Sequence, residues 1–383
     1  MKKTGDTPIV AVAETITGLG DGLKVLWQQL LNGATAIRPV TRFPAAGYSA
    51  GIAACIENLS PPEDKSMIHP LLDRLFARMP PIPRDAFLIT ATTKAGIDNL
   101  ETLRRTGTSR VEDILPASLV STVSGKLGLK GAGFNVSAAC ASSTIAVARG
   151  AEMIASGAAE VVLVCCLDLV TEFILSGFAA LKALSPVPCQ PFDRGRQGLS
   201  LGEGAAALLL MSRRRARREG RPLLGRILGW GVANDATHIT APAKNGCGLV
   251  QAISQSFSVA GCEADEINAI SAHGTGTVYN DLMELTAFQQ VFGKKKIPMY
   301  SVKGAIGHTM GAAGAIEVAL GLRTLATGTA PPTVGMNRPM AEAAGLVSEA
   351  CTAVSGDFLL TTNSGFGGIN AALVLGRGDP DER

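Results

Sequence analysis

Residues 135–167 decide the fold, and they run Asn-Val-Ser-Ala-Ala-Cys-Ala-Ser-Ser-Thr-Ile-Ala-Val-Ala-Arg-Gly-Ala-Glu-Met-Ile-Ala-Ser-Gly-Ala-Ala-Glu-Val-Val-Leu-Val-Cys-Cys-Leu. A strand-like segment gives way at Cys140 to an Ala-rich segment, residues 142–155, whose composition favours a helix. The apolar run that follows, residues 161–167, has the length of one buried strand. Strand, helix and strand in close succession are typical of an α/β fold.

The same alternation extends outward from this stretch to both ends of the chain. Further strand-sized apolar runs occupy residues 9–13, 87–91, 205–211, 224–230 and 371–375, and a second Ala-rich helix is predicted at residues 312–325. The sequence therefore predicts sheets that are covered by helices on both faces. An arginine-rich break at residues 212–222 divides the chain, and we expect two units, residues 1–222 and 223–383. We interpret the break as a solvated helix and turn; the alternative is a patch for an acidic partner.

Composition excludes several classes of protein. Of the 383 residues, 46% are hydrophobic and 17% charged, which is the opposite of the bias of a disordered chain. The net charge of +3 gives no reason to expect nucleic-acid binding. No apolar run approaches the ~20 residues of a membrane span, and the start lacks the apolar core of a signal peptide. The eight cysteines form no Cys-x-x-Cys pair, so we expect reduced thiols, a cytoplasmic location and no zinc site.

Cys140 is the first candidate for chemistry. It lies where the strand-like segment meets the predicted helix, and the positive end of a helix dipole favours a thiolate. Small neighbours would let backbone amides approach a substrate carbonyl closely. Buried packing is the commoner role of a cysteine, so this segment alone leaves both interpretations open.

A second segment reads Ser271-Ala-His273-Gly-Thr-Gly-Thr277. His273 follows an apolar stretch, so the imidazole is expected at the exit of a strand, where active residues of open α/β sheets usually lie. Asp281 and Glu284 follow this segment. A dinucleotide loop is rejected because the third glycine of that motif is absent.

Two further glycine-rich segments lie closer to the C-terminus. Residues 301–317 carry Lys303 and His308 among glycines at positions 304, 307, 311 and 314. Residues 363–370 place glycines around Phe366. The chain has four histidines, and two of them, His273 and His308, lie in such loops.

In this order, the four segments resemble those of the β-ketoacyl-acyl-carrier-protein synthases, specifically the elongating type of the thiolase superfamily with a Cys-His-His site. The resemblance runs nearly end to end and includes residues 191–204 and 235–242. It implies a thiolase-like, five-layer αβαβα fold built from two similar halves with mixed five-stranded sheets. The first half would carry Cys140, and the second would carry His273, Lys303, His308 and the Gly-Phe-Gly-Gly loop.

The resemblance also implies a role for each site residue. The enzyme would be an acyltransferase that condenses an acyl-enzyme on Cys140 with malonyl-carrier protein, with His273 and His308 promoting decarboxylation. The amides of Cys140 and Phe366 would form an oxyanion hole, and the Phe366 ring would gate the site. The other implied site residues are Lys303 and its partner Glu317, the supporting Asp281, and the tunnel threonines Thr240, Thr275 and Thr277. The implied partners are an acyl carrier protein and a second subunit, identical or homologous; no cofactor or metal is implied.

Related classes differ at identifiable positions. A thiolase would carry a cysteine in the loop that holds Phe366, an initiating synthase would carry asparagine at His308, and a non-catalytic chain-length factor would lack Cys140. Ser364 stands where the family often has phenylalanine, and Lys94 is unexpected beside a pocket for a long apolar chain. These departures leave open a ketosynthase of a polyketide or aryl-polyene pathway, paired with a chain-length-factor homologue. A non-catalytic binding subunit and a cysteine hydrolase are the alternatives from other classes.

Overall fold

The computed structural model describes residues 6–62 and 65–378. Its helices are α1 (Leu23–Leu31), α2 (Ile68–Phe76), α3 (Asp98–Thr106), α4 (Ser118–Leu127), α5 (Ser142–Ala155), α6 (Glu172–Ala180), α7 (Arg213–Arg218), α8 (Cys247–Ala260), α9 (Val278–Phe292), α10 (Lys303–Ile306) and α11 (Ala313–Thr327). Its strands are β1 (Pro8–Thr17), β2 (Gly20–Asp21), β3 (Arg38–Pro39), β4 (Ile52–Ala54), β5 (Phe87–Ala91), β6 (Gly133–Val136), β7 (Val161–Asp168), β8 (Leu201–Gly202), β9 (Gly204–Ser212), β10 (Gly225–Asn234), β11 (Ala269–Ser271), β12 (Met299–Tyr300), β13 (Thr329–Ala330), β14 (Thr352–Ala353), β15 (Phe358–Gly365) and β16 (Ile369–Arg377). Within these described ranges, every helix is too short or too polar to cross a bilayer.

The main sheet consists of two mixed groups of five strands, and the two-residue β2 adds an eleventh strand by pairing with the end of β1. One group has the order β6-β5-β7-β9-β1 and the other has the order β10-β16-β15-β11-β12. In each group the three strands farthest from the junction run parallel and the remaining strands are antiparallel. The groups meet where β1 pairs with β10 through Ile9↔Arg226 and Val10↔Gly225, so that one continuous sheet folds back on itself.

Two helices, α5 and α11, fill the space between the two groups of strands. Both pack against each other and against strands of both groups, and α11 is buried on nearly all sides. Their small residues permit this contact: a Cβ on Gly314 would overlap Thr144 Oγ1 of α5. Helices α2 and α4 cover one outer face and α8 and α9 the other, which gives the predicted five layers.

The residue patterns predict most of the central elements correctly. The helix predicted at residues 142–155 and the strand at residues 87–91 have the expected bounds, and the other strand-sized runs form β1, β7, β9, β10 and β16. The arginine-rich break forms the short helix α7, which buries only Ala216. Ion pairs with the neighbouring carboxylates of Asp85, Glu160 and Glu219 are formed by Arg214, Arg215, Arg218 and Arg221. These pairs favour the interpretation as a solvated helix.

Candidate active site

A cleft of about 420 Å³ brings together residues from segments that are far apart in the sequence. Of the predicted site residues, those that line it are Cys140, Thr240, His273, Thr275, Thr277, His308 and Phe366. Lys303, Glu317 and Asp281 are buried nearby: Lys303 contacts His273 and Asp281 contacts Thr275, both in the lining, and Glu317 is paired with Lys303. The structure therefore places the predicted site residues in one connected region.

Cys140 lies in a tight connection between β6 and α5. Ala139, just before it, adopts a left-handed backbone with φ of 48°, a conformation that costs energy for a residue with a side chain. Ser142 closes the turn because its Oγ accepts from the Ala138 N–H at 2.8 Å. The thiol is thereby held in the cleft, 2.9 Å from His308 Nε2.

Burial dominates the protonation of Cys140. It raises the pKa of the thiol to about 11, although Lys303 and the backbone N–H of Phe366 act in the opposite direction. The sequence-based expectation that the helix terminus favours the thiolate is therefore opposed by the loss of solvent. One of these opposing groups, the Phe366 N–H, is the amide to which the resemblance assigns a place in the oxyanion hole.

The backbone fixes the proton on His308. Nδ1 of the ring accepts the Met310 N–H at 3.2 Å, so the neutral imidazole carries its proton on Nε2, the atom that faces Cys140. Met310 has a left-handed φ of 49°, and the next amide, that of Gly311, donates to Asp168 at 2.7 Å. Asp168, at the end of β7, thus anchors the turn that aims an N–H at His308.

A side chain contacts the corresponding atom of His273. Nδ2 of Asn363 lies 3.1 Å from His273 Nδ1 and 2.7 Å from Glu317 Oε2. The hydroxyl of Thr144 donates to the other end of the amide, Asn363 Oδ1. The contact with Asn363 therefore connects His273 to the buried carboxylate of Glu317.

Both imidazoles are held in the neutral form. Burial lowers the pKa of His273 and of His308 well below 6.5, and the charge of Lys303 acts in the same direction. The rings meet edge to face with centroids 5.1 Å apart. Two uncharged imidazoles beside a thiol can donate hydrogen bonds to a developing negative charge.

Lys303 and Glu317 form the ion pair that the resemblance implies. Lys303 Nζ lies 2.5 Å from Glu317 Oε1 and 2.5 Å from the carbonyl oxygen of His273, and both side chains are 1% exposed. Burial raises the pKa of Glu317, while Lys303 opposes that shift. The ammonium group therefore fixes the backbone of His273 as well as the electrostatics of the site.

Buried carboxylates shape the loop that carries the threonines. Asp281 accepts the amides of Thr275 at 3.0 Å and Gly276 at 3.2 Å, and burial raises its pKa. Glu284 accepts the amides of His273 and Gly274, each at 2.7 Å, and burial raises its pKa to about 7. The Asp281 carboxylate thus supports the loop, as the resemblance implies.

The thiol of Cys140 and the imidazoles of His273 and His308 have the spacing of a metal site, but their hydrogen bonds do not suit metal binding. Cys140 Sγ and one ring nitrogen of each histidine lie within 4.8 Å of one another. A metal-binding histidine usually donates its outer N–H to an oxygen. His308 instead accepts an N–H at Nδ1, so the nitrogen that faces Cys140 bears a proton and offers no lone pair. We therefore interpret the group as a hydrogen-bonding pocket.

Three contributors to this site were not predicted as site residues: Asn363, Asp168 and Glu284. Asp168 was detectable as the acidic residue that ends an otherwise apolar strand, and Glu284 follows the His273 segment closely. Asn363 is the first residue of the glycine-rich segment at residues 363–370. Its partners lie 90 and 46 residues away, and no local pattern indicates them.

The two departures from the expected family pattern lie in different places. Ser364 lines the cleft and donates to Asn370 at 2.7 Å, and Phe366 packs on Phe178 with ring centroids 5.9 Å apart. Lys94 is exposed, and its amide lies 3.3 Å from Asp168. The aromatic pair therefore closes one side of the cleft even though the second phenylalanine of the family loop is absent.

Comparisons with known proteins agree with this geometry. Residues 83–216 match the family description "Beta-ketoacyl synthase, N-terminal domain", and residues 224–337 match "Beta-ketoacyl synthase, C-terminal domain". The 3-oxoacyl-[acyl-carrier-protein] synthase 2 of Rhizobium meliloti (strain 1021) is 30% identical over 94% of this chain and 96% of its own length.

Solved structures of ketosynthases have the same fold. The ishigamide ketosynthase/chain length factor aligns with a TM-score of 0.89 and 27% identity over 98% of this chain and 100% of that one. A ketosynthase in complex with its chain length factor from Xenorhabdus doucetiae aligns with a TM-score of 0.79 and 27% identity, over 97% of this chain and 98% of that one.

Proposed function

The chain belongs to the β-ketoacyl synthase family, and we propose that it is a 3-oxoacyl-[acyl-carrier-protein] synthase of fatty-acid elongation. One observation carries this proposal: the Cys140 thiol and two neutral imidazoles, His273 and His308, meet in one cleft. The name and length coverage of the Rhizobium meliloti relative support the choice of carrier-bound substrates.

The first half-reaction loads the acyl group. Cys140 Sγ attacks the carbonyl carbon of an acyl thioester, the S–C bond to Cys140 forms, and the bond to the carrier sulfur breaks. The proton of Cys140 ends on the thiol of the released carrier. The transient oxyanion lies against the amides of Cys140 and Phe366.

The second half-reaction forms the new carbon–carbon bond. The malonyl thioester loses carbon dioxide, and the electron pair of the broken C–C bond moves into an enolate. The Nε2 protons of His273 and His308 stabilise the enolate oxygen, a charge that develops only near the transition state. The enolate carbon then attacks the acyl-enzyme carbonyl, Cys140 leaves as a thiolate, and one proton from solvent restores the resting thiol.

The proposal includes the surroundings of the reaction. Thr240, Thr275 and Thr277 line the approach to Cys140 and would contact the phosphopantetheine arm.

We place the boundary between the halves at residues 222 and 223, which agrees with the separate strand groups. Eight free thiols suit the cytoplasm, and we propose a dimer, either with a second copy or with a homologue.

Mass spectrometry of intact proteins tests the proposed reaction. When the enzyme is mixed with an acylated carrier protein and no malonyl donor, Cys140 should gain the mass of the acyl group. Adding malonyl-carrier protein should yield a 3-oxoacyl carrier lengthened by two carbons and one equivalent of carbon dioxide. Free acid released without a malonyl donor would indicate a hydrolase, and a Cys140 inert to both acyl donor and iodoacetamide would indicate a non-catalytic subunit.

A second candidate is a ketosynthase of a polyketide or aryl-polyene pathway that works with a chain-length factor. Two ketosynthase structures at 27% identity, each described together with a chain length factor, favour it. Native mass spectrometry of the protein alone and with a cysteine-lacking homologue separates the candidates. Activity of the homodimer on its own supports fatty-acid elongation, whereas activity only in the mixed dimer supports the alternative.

A further inference from the structure

We propose that Asn363 is a positioning residue that holds the proton of His273 on Nε2. The inference concerns the tautomer of the ring and is independent of any substrate. Its consequence for catalysis rests on the proposed function, because the Nε2 proton is the group that would stabilise the enolate.

The contacts of Asn363 determine which end of its amide faces His273. Glu317 can only accept a hydrogen bond when ionised, so the atom 2.7 Å from its Oε2 must be the amide nitrogen. The Thr144 hydroxyl donates to the oxygen at the other end. With its orientation fixed from both sides, Asn363 turns its second N–H to His273 Nδ1 at 3.1 Å.

A nitrogen that accepts a hydrogen bond cannot carry the proton of a neutral imidazole. His273 is buried and uncharged, so its single ring proton must reside on Nε2. Asn363 is itself 0% exposed, and each polar end of its amide has a partner. The amide is therefore a rigid link between the tautomer of His273 and the Lys303–Glu317 ion pair.

Nuclear magnetic resonance of ¹⁵N-histidine-labelled protein measures this tautomer directly. The chain has four histidines, and single substitutions assign the spectrum. Two-bond correlations between ring protons and ring nitrogens distinguish an Nε2–H ring from an Nδ1–H ring. Wild-type His273 should show the Nε2–H pattern, and Asn363→Asp, which replaces the donor by an acceptor, should shift it to Nδ1–H.

A second variant guards against misfolding of Asn363→Asp, which places two carboxyl groups together. Asn363→Ala removes the donor without adding charge, and His273 should then show a mixture of tautomers. Thr361→Val is the matched control: it lies two residues earlier on the same strand, is fully buried and has an Oγ1 without a hydrogen-bond partner among the described residues. This control should keep the wild-type pattern.

Activity gives a separate readout. Asn363→Ala should slow decarboxylation of malonyl-carrier protein at least ~10-fold, the lower range for disturbing a group that orients a reacting histidine. Acylation of Cys140 should change less than ~3-fold, because Cys140 contacts His308 and not Asn363. A purely structural role would reduce both rates together.

The two readouts keep the two proposals apart. A folded Asn363→Ala protein with the wild-type tautomer at His273 overturns the positioning role, whatever the enzyme does. A wild-type protein that shows the Nε2–H pattern but never decarboxylates a malonyl thioester refutes the proposed function and leaves the role of Asn363 standing.

Discussion

His273 and His308 lie in one cleft beside the same thiol, but different parts of the chain hold their rings. The Met310 amide contacts Nδ1 of His308, in a turn anchored by Asp168. The Asn363 side chain contacts Nδ1 of His273 and also Glu317, which is paired with Lys303. One ring is held by main chain and the other by a network of side chains.

This difference predicts how sensitive the position of each ring is to substitutions. A backbone N–H remains at position 310 in any variant except proline, so the ring of His308 is insensitive to most single substitutions there. The ring of His273 depends on a buried amide and a buried ion pair, where the loss of one partner leaves others unsatisfied. Mutations should therefore disturb the His273 side more than the His308 side.

The largest expected effect is that of Glu317→Ala. It strands the Lys303 ammonium in the interior, and breaking a buried pair in this way costs about 3–5 kcal/mol. Denaturant unfolding measures the loss, and activity should fall with it, whereas Lys303→Ala should mainly slow decarboxylation. The double variant Lys303→Met/Glu317→Leu should regain most of the stability without activity; a Glu317→Ala protein as stable as wild type would contradict the pairing.

The variants His273→Ala and His308→Ala should differ from each other only in the first half-reaction, the acylation of Cys140. His273→Ala and His308→Ala should each lose decarboxylation by at least ~10²-fold, the usual lower cost of a lost donor or acid–base group. Both should still be acylated, but only His308→Ala should be acylated more slowly, because its Nε2 lies 2.9 Å from Cys140 Sγ. Mass spectrometry with each substrate alone separates the steps.

Cys140→Ala is the control for that experiment. It should form no acyl-enzyme yet still convert malonyl-carrier protein to acetyl-carrier protein, because the imidazoles and amides remain. If folded Cys140→Ala protein no longer decarboxylates, the division of roles between thiol and histidines is wrong.

Asp168→Asn tests the anchor on the His308 side. The amide has one accepting oxygen where the carboxylate has two, so the N–H of Gly311, which faces Oδ2, and the N–H of Lys94, which faces Oδ1, cannot both keep their partner, at a cost of about 1–3 kcal/mol. The expected loss in denaturant unfolding is smaller than for Glu317→Ala because no ammonium ion is stranded. An equal or larger loss would remove the proposed contrast between the two sides.

The smallest expected effect is that of pH on the reactivity of Cys140. Since burial raises the pKa of Cys140 to about 11, the thiolate fraction should grow with pH and alkylation by iodoacetamide should accelerate ~10-fold per unit between about pH 7 and 10. The neutral histidines should add no inflection near pH 6.5, because their pKa values lie well below it. Cys140→Ser gives the background from the exposed Cys247 and Cys351; a rate independent of pH would reveal a preformed thiolate.

Sequence patterns predict the elements and the reacting groups well, because each leaves a local signal. The Ala-rich segment at residues 142–155 and the glycines around His273 and His308 indicate their own structure. The contacts of Asn363 and Asp168 leave no such signal, since they depend on how distant loops meet beneath the cleft. The junction of β1 and β10 also leaves no local signal, because only two residue pairs form it and nothing in either strand distinguishes it.

The separation of Cys140 and His308 by 168 residues has a consequence for biosynthesis. A ribosome that adds ~5–20 residues per second needs roughly 8–34 s to travel from the codon of Cys140 to the codon of His308. Throughout that interval the nascent chain carries the thiol without the imidazole that contacts it, and Phe366 is translated later still. The nucleophile is therefore made early and completed late, so a growing chain cannot condense an acyl group with a malonyl donor before His308 and Phe366 have joined Cys140.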